Sequence, residues 1–151
     1  MRVVFEIPGT PIAQPRHKVT ARGKFAHAYI PKSHPIHEYK QAARNAALLE
    51  WVDPKTGKPL RPTHLPVRMC FMFVMPRPKS KCWKTRPTPR YPHTGTPDTD
   101  NLVKAIKDAL EGIVYLNDSQ VYAEFAKKYV ASGEEEPHAT VSVRTVEGSN
   151  Q

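Results

Sequence analysis

The most informative segment of the sequence is Thr96–Val121, TPDTDNLVKAIKDALEGIVYLNDSQV. On a helix that turns by about 100° per residue, its apolar side chains fall within one arc, at Leu102, Ile106, Ala109, Leu110 and Ile113. Charged side chains take the opposite side. This separation predicts an amphipathic helix over Asp100–Glu111 that packs on a core and ends at Gly112.

Periodicity and prolines divide the rest of the chain into short elements. A second helix is predicted over Pro35–Trp51, where small and apolar residues recur at helical spacing. Strands are predicted over Arg2–Ile7, Phe25–Ile30, Val67–Met75, Ile113–Leu116, Val121–Val130 and Ala139–Val146. The proline-containing segments Pro8–Lys24, Lys55–Pro66 and Pro76–Pro97 are predicted to be irregular, with a turn at Asn117-Asp118.

These elements predict an α+β fold, a small mixed β-sheet packed against two main helices. The sheet takes strands from both ends of the chain. A length of 151 residues suits one domain, which we place at residues 1–146. Residues 147–151 are expected to form a frayed tail.

Charge points to a polyanionic partner. The chain has 23 Lys and Arg against 14 Asp and Glu, a net charge of +9, and domains this basic commonly bind nucleic acid. Two loops hold basic residues without any acid, and the predicted DNA contacts are Arg16, Lys18, Lys24, Lys79, Lys81, Lys84, Arg86 and Arg90. A solvated basic surface, or a floppy linker in the case of Pro76–Pro97, is the alternative interpretation.

Other features exclude several classes of protein. The sequence has no run of eighteen apolar residues, so we expect no membrane span. The N-terminal MRVVFEIPG reaches proline and glycine too early for a signal peptide, and we expect a cytoplasmic protein. Cys70 and Cys82 lack zinc-site spacing and are expected to be free thiols.

Three carboxylates and a lysine are the candidate catalytic groups. Asp98 and Asp100 stand at the start of the predicted helix, and Asp118 lies at a turn from which the chain can return toward them. Converging carboxylates suit Mg²⁺, and Lys104, one turn into the helix, is the natural cation for phosphodiester hydrolysis. The structural alternative is that the acids cap the helix and pair with Lys104 at i,i+4 spacing.

The segments PDTDNLVK (97–104), DAL (108–110) and NDSQV (117–121) resemble the signature of the RusA family. The resemblance implies a homodimeric, often phage-derived Holliday junction resolvase that acts on four-way junction DNA. It implies that Asp98, Asp100 and Asp118 are Mg²⁺-binding catalytic carboxylates, with Mn²⁺ as a substitute metal, and that Lys104 is the catalytic lysine. Asn101, Asp108 and Gln120 match supporting positions of the motif.

The chain departs from the family pattern at two places. Thr96-Pro97 stands where the family often has a basic residue, and Asn117-Asp118 stands where it often has two aspartates. Two further hypotheses remain open beside junction resolution. One is a non-catalytic, basic DNA-binding protein whose acids only cap a helix, and the other is a nuclease acting on branched or flap DNA generally.

Overall fold

The computed structural model describes residues 1–23 and 25–147. The strands are β1 (Arg2–Pro8), β2 (Lys18–Arg22), β3 (Phe25–Tyr29), β4 (Val67–Met75), β5 (Tyr91–Pro92), β6 (Val121–Val130) and β7 (His138–Thr145), and the helices are α1 (Ile36–Glu50) and α2 (Thr99–Leu110). Two short 3₁₀ helices occupy Lys79–Lys81 and Asp118–Gln120. Lys24 and the end of the predicted tail, residues 148–151, lie outside the described residues.

The main sheet has the strand order β1-β7-β4-β6-β5. The β4/β6 pair is parallel, and the other neighbours are antiparallel. The first and last strands of the chain pair with each other, from Arg2 with Arg144 to Pro8 with His138. This arrangement confirms the predicted α+β class, the mixed sheet and the contribution of both chain ends.

The helices cover one face of this sheet. In α1 the buried residues Ile36, Tyr39, Ala43 and Ala47 recur at helical spacing, and α2 buries its own apolar stripe from Leu102 to Leu110. Alternate residues of the strands, such as Phe5, Met69 and Val143, meet them in one core. Because strand side chains alternate between the two faces, the intervening residues point to the opposite face, which neither helix covers (the helix-free face).

The prediction of a strand at Ile113–Leu116 is wrong. Gly112 adopts φ +79°, and the N–H groups of Ile113 and Val114 both donate to the Leu110 carbonyl. The chain therefore turns directly after α2. Val114 and Tyr115 are fully buried because this turn folds them into the core, which explains why the segment has the apolar character of a strand.

The prediction of irregular structure over Pro8–Lys24 is also wrong in its second half. Residues Lys18–Arg22 form β2, which pairs with β3 in a separate two-stranded sheet. The tight connection includes Gly23 at φ +65°, a backbone conformation that glycine adopts without steric cost. The basic residues of this segment led to its prediction as an open arm, although Val19 and Thr20 favour a strand.

The proline-rich segment after β4 is irregular, as predicted, apart from its 3₁₀ turn and β5. Arg77 organises it: the guanidinium donates to the carbonyls of Lys81, Pro89 and Ala131. The Gly133 N–H donates to the Thr88 carbonyl at 2.9 Å. These contacts attach the segment to the turn between β6 and β7, so it does not behave as a floppy linker.

One smaller expectation, the free thiols, is also met. Cys70 and Cys82 are free. Within residues 1–23 and 25–147, no helix is long and apolar enough to cross a membrane.

Candidate active site

A polar cleft of about 190 Å³ lies between α2 and the start of β6. Its charged lining comes from Asp100, Lys104, Lys107, Asp108, Asp118 and Glu124. The four helical residues follow one another at i, i+4, i+7 and i+8, which places them on one face of α2. The structure therefore brings together Asp100, Asp118 and Lys104, which the sequence analysis selected from separate parts of the motif.

Asp98 does not line this cleft. The sequence analysis treated Asp98 and Asp100 as an extended pair that projects to one side, but α2 already begins at Thr99. Asp98, the N-cap residue, keeps an extended backbone with φ −70° and ψ 147°, and the helical backbone starts at the next residue. The extended geometry therefore ends at Asp98, and the pairing of Asp98 with Asp100 as metal-binding carboxylates stays a prediction.

The structural alternative for these acids is not supported by their contacts. Asp98 occupies the N-cap position of α2, yet its exposed side chain accepts no capping hydrogen bond. Within the described part of the chain, no salt bridge joins Lys104 to Asp100 or to Asp108, so the predicted i,i+4 pairs do not form. Asp98, Asp100 and Lys104 therefore make none of the capping bonds or i,i+4 ion pairs that the structural alternative predicts.

Neighbouring charges in the cleft do form ion pairs. Lys107 Nζ lies 3.0 Å from Glu124 Oε2, and Lys40 Nζ of α1 lies 3.7 Å from Asp108 Oδ2. Burial lowers the pKa of Lys40, an effect that the nearby Asp108 opposes. These pairs fix two walls of the cleft and leave Asp100, Asp118 and Lys104 facing it.

Gln120 holds the turn that presents Asp118. Its Oε1 accepts hydrogen bonds from the N–H groups of Leu116 and Asn117, both at 2.9 Å. Its Nε2 donates to the carbonyls of Thr63 at 2.9 Å and Leu65 at 3.1 Å. The Gln120 side chain thus joins the segment before β6 to the segment before β4. It thereby holds the 3₁₀ turn that contains Asp118.

The first turn of α2 is anchored from two other directions. The Gln14 N–H, in the segment after β1, donates to the Asn101 carbonyl at 3.0 Å. The ammonium of Lys128, on β6, donates to the carbonyls of Gly95 and Pro97. Asn101 itself is exposed, so its contact with the rest of the protein is made by its backbone.

Comparison with known proteins gives a family for this fold and cleft. Residues 8–144 match the model of the family described as endodeoxyribonuclease RusA. The chain belongs to the RusA family. "Uncharacterized protein YqaN" from Bacillus subtilis (strain 168) is 31% identical over 156 residues, an alignment that covers 95% of this chain and 96% of the relative.

Membership of the RusA family makes the chain an endodeoxyribonuclease and implies junction DNA as its substrate. The resemblance inferred from the motif is therefore confirmed over most of the chain, beyond the short segments in which it was recognised. The cleft contains Asp100, Asp118 and Lys104 of the motif, and it is the candidate site for phosphodiester hydrolysis.

Four of the predicted DNA contacts line two separate depressions. Arg16 and Lys18 line one of about 430 Å³ near the start of α1. Lys84 and Arg86 line another of about 460 Å³, beside Trp83 and the turn between β6 and β7. The Arg86 guanidinium stacks 3.6 Å from the Trp83 ring centroid. Lys79 and Lys81 are exposed on the same segment.

Arg90 differs from the other predicted contacts. Its guanidinium forms an ion pair with Glu135 and contacts the Met72 sulfur. The bond to Glu135 raises the pKa of Arg90, and the bond to Arg90 lowers the pKa of Glu135. A half-buried arginine engaged in this way supports the fold of the proline-rich segment, and we do not assign it to DNA.

The sequence analysis assigned no role to Lys107 or Glu124. Both could have been found from periodicity: Lys107 follows Lys104 by three positions on the same helical face, and Glu124 belongs to the strand immediately after Asp118. Lys128 offered no comparable signal, because its contacts are with backbone carbonyls about thirty residues earlier.

Proposed function

We propose that this chain is a Mg²⁺-dependent endonuclease that resolves four-way DNA junctions as a homodimer. Each subunit cuts one strand, since resolution requires paired symmetric cuts. The observation that carries the proposal is the cleft in which Asp100 and Asp118 face Lys104. Membership of an endodeoxyribonuclease family supports the hydrolysis of DNA at such a site.

The donor set of the cleft fits Mg²⁺. This ion prefers carboxylate oxygens, and it is commonly held by only one or two carboxylates while it keeps several waters. Asp100 and Asp118 would hold it, although no three His, Cys, Asp or Glu side chains in the described residues are grouped closely enough to form a ready-made metal cage. Asp98 is the third candidate by resemblance, and it accepts no capping bond that would hold its carboxylate elsewhere.

When bound, Mg²⁺ would supply an activated water and neutralise charge that develops on the phosphate. The protein's own groups contribute orientation and charge. Lys104 presents an ammonium to the cleft, where it stabilises the developing negative charge on a phosphate or leaving oxygen. Asp100 lies in the first turn of α2, and the N–H groups at a helix N-terminus favour an anionic phosphate beside them.

The remaining residues position these groups. Gln120 fixes the turn of Asp118 through its four hydrogen bonds. Tyr115, fully buried, donates its hydroxyl hydrogen to the Lys107 carbonyl at 2.7 Å and so joins this turn to the last part of α2. Burial raises the pKa of Tyr115, which keeps the hydroxyl protonated as a donor.

The test is the variant Asp100→Asn, which removes a carboxylate charge and changes the side-chain shape little. We expect junction binding in EDTA to stay within about threefold of wild type, while Mg²⁺-dependent cleavage of a synthetic four-way junction falls at least about 10²-fold. Glu111→Gln is the matched control, because Glu111 is an exposed acid at the other end of the same helix, outside the cleft.

Substrate choice is measured in the same assay by comparing junctions, forks, flaps and linear duplex. Paired cuts confined to four-way junctions support resolution, whereas equal cleavage of flaps and forks supports a general nuclease for branched DNA. Cleavage by Asp100→Asn at the wild-type rate would show that the active site has been assigned to the wrong residues. Binding by the wild-type protein without cleavage in Mg²⁺ or Mn²⁺ would favour the non-catalytic alternative.

A further inference from the structure

Three arginines stand side by side on the helix-free face of the main sheet. Arg2 on β1 pairs with Arg144 on β7, and Arg144 pairs in turn with Arg68 on β4. All three are exposed, and Arg68 and Arg144 each lie between two buried neighbours along their strands. The side chains therefore point away from the helices, in one row across three adjacent strands.

This arrangement is electrostatically unfavourable for folding alone. Directly opposite residues on paired strands have Cβ atoms only about 5 Å apart, and like charges at such positions destabilise a sheet. Within the residues that the structure describes, no salt bridge involves any of the three arginines. The Nε of Arg2 donates to the Ser142 hydroxyl at 3.3 Å, which neutralises no charge.

The neighbouring row of paired residues contributes no acid. The next row on this face is formed by the uncharged residues Val4, Ser142, Cys70 and Phe125, paired across the four strands. Glu6, an acid on the same face, lies four positions beyond Arg2, roughly 13 Å along β1. Lys127, further along β6, adds another exposed cation, with its Nζ 5.6 Å from the Phe125 ring.

We propose that Arg2, Arg68 and Arg144 form a second DNA-binding surface, which holds phosphates of the substrate outside the catalytic cleft. A row of guanidinium groups matches a phosphate backbone because each can donate two parallel hydrogen bonds to phosphate oxygens. The inference rests on the proposed function in one respect: the polyanion is the DNA that the cleft cuts. Bound phosphates would also remove the repulsion between neighbouring arginines.

The arginine row lies close enough to the catalytic cleft for one DNA arm to contact both. Arg68 pairs with Ala123 of β6, and Ala123 follows Asp118 by five residues. Five extended residues span at most about 18 Å, and the neighbouring strand adds about 5 Å. The Cα atoms of Arg68 and Asp118 are thus within roughly 23 Å, less than one helical turn of B-DNA, about 34 Å.

The test compares the double variant R68Q/R144Q with the control K55Q/K58Q. Both lose two positive charges. The control residues lie in an exposed turn closed by Asp53, which accepts the Lys55 N–H and whose own N–H donates to the Lys58 carbonyl. Arg2 is kept so that its bond to Ser142 and the first strand are undisturbed. Thermal unfolding verifies that each variant folds.

Binding to a four-way junction and to linear duplex is measured in EDTA across a range of salt concentrations. For R68Q/R144Q we expect affinity at low salt to fall roughly tenfold or more. The slope of log K against log salt should become shallower by about 2, close to one unit for each lost phosphate contact. The control should keep the wild-type slope.

Equal slopes for the two double variants would overturn the proposal. So would unchanged DNA binding with an altered oligomeric state, measured by light scattering, because the row would then belong to an interface between copies of the chain. A wild-type protein that binds no DNA at low salt overturns it as well. Wild-type protein that binds DNA in the expected way but cuts no junction contradicts only the proposed function, so the two failures are distinguishable.

Discussion

The imidazole of His93 is held where protonation is unfavourable. Its Nδ1 is buried without a hydrogen-bond partner in the described residues, and burial lowers the pKa of His93 below its ordinary 6.5, with a further contribution from the charge of Lys128. Because the pKa is lower in the folded than in the unfolded protein, the unfolded state binds more protons as the pH falls. This contribution to stability is complete above about pH 6.5 and is lost on acidification below that value.

The variant His93→Gln should therefore show a flatter pH dependence. We expect the difference in free energy of unfolding between about pH 7.5 and pH 5.5 to be smaller than in wild type, as measured by urea denaturation at each pH. His64→Gln, which changes an exposed histidine, serves as the control. Parallel pH profiles for wild type and His93→Gln would show that His93 has no part in acid destabilisation.

Single residues also show the limit of the sequence prediction at the site. Asp100, Lys104 and Asp118 share a cleft, as the motif indicated, whereas Asp98, the N-cap of a helix that begins one residue before Asp100, is not among the residues that line it. Helix boundaries read from sequence are uncertain by one or two residues. A shift of that size moves a helical side chain by about 100° or 200° around the helix axis, so the sequence could not define which side chains of the first turn line the cleft.

Among the elements, the 3₁₀ turn Asp118–Gln120 depends on one side chain. Gln120→Ala removes four hydrogen bonds that join this turn to the segments on either side. We expect the free energy of unfolding to fall by about 1–3 kcal/mol, since backbone groups lose their partners. Junction cleavage at saturating DNA should slow by roughly 10²-fold, because displacement of a catalytic group by about 1 Å can have that effect.

The matched control for this turn is Ser119→Ala. Ser119 is exposed, and its backbone N–H rather than its hydroxyl makes the local bond to Asn117. It should keep wild-type stability and cleavage, and junction affinity in EDTA should be unchanged in both variants. Equal cleavage by Gln120→Ala and Ser119→Ala would show that Asp118 does not need the Gln120 contacts to be positioned.

Elements with a clear period were predictable, and elements fixed by distant contacts were not. Both helices and the strands β1, β3, β4, β6 and β7 lie within two residues of their predicted limits. The apolar segment Ile113–Leu116 was mistaken for a strand because burial in a turn and burial in a sheet select similar residues. The short β5 was missed because pairing with Tyr129 and Val130 of β6 defines it, rather than any local pattern.

At the level of the whole molecule, the charge of +9 is distributed over several surfaces. Basic side chains line the two depressions near the loops, and three more form the row on the helix-free face of the sheet. The sequence indicated the loops, where basic residues lie close together in the chain without any acid. It could not indicate the row, because Arg2, Arg68 and Arg144 are far apart in the chain and meet only through the register of three strands.

Loss of an arginine from the row should raise the free energy of unfolding and weaken DNA binding. Arg144 is the middle member of the row. Arg144→Gln removes repulsion toward both Arg2 and Arg68, so we expect the free energy of unfolding to rise by about 0.2–1 kcal/mol at low ionic strength. Added salt screens exposed charges over about 10 Å at 0.1 M. The gain should therefore shrink in urea denaturation at high salt.

Arg61→Gln provides the comparison, because it lowers the net charge equally at an exposed position in the segment between α1 and β4. A gain confined to Arg144→Gln separates local repulsion from a general effect of net charge. A salt-independent loss of stability in Arg144→Gln would instead mean that packing of the arginine's methylene groups outweighs repulsion. The expected combination, higher stability with weaker DNA binding, is the one that a surface retained for its ligand produces.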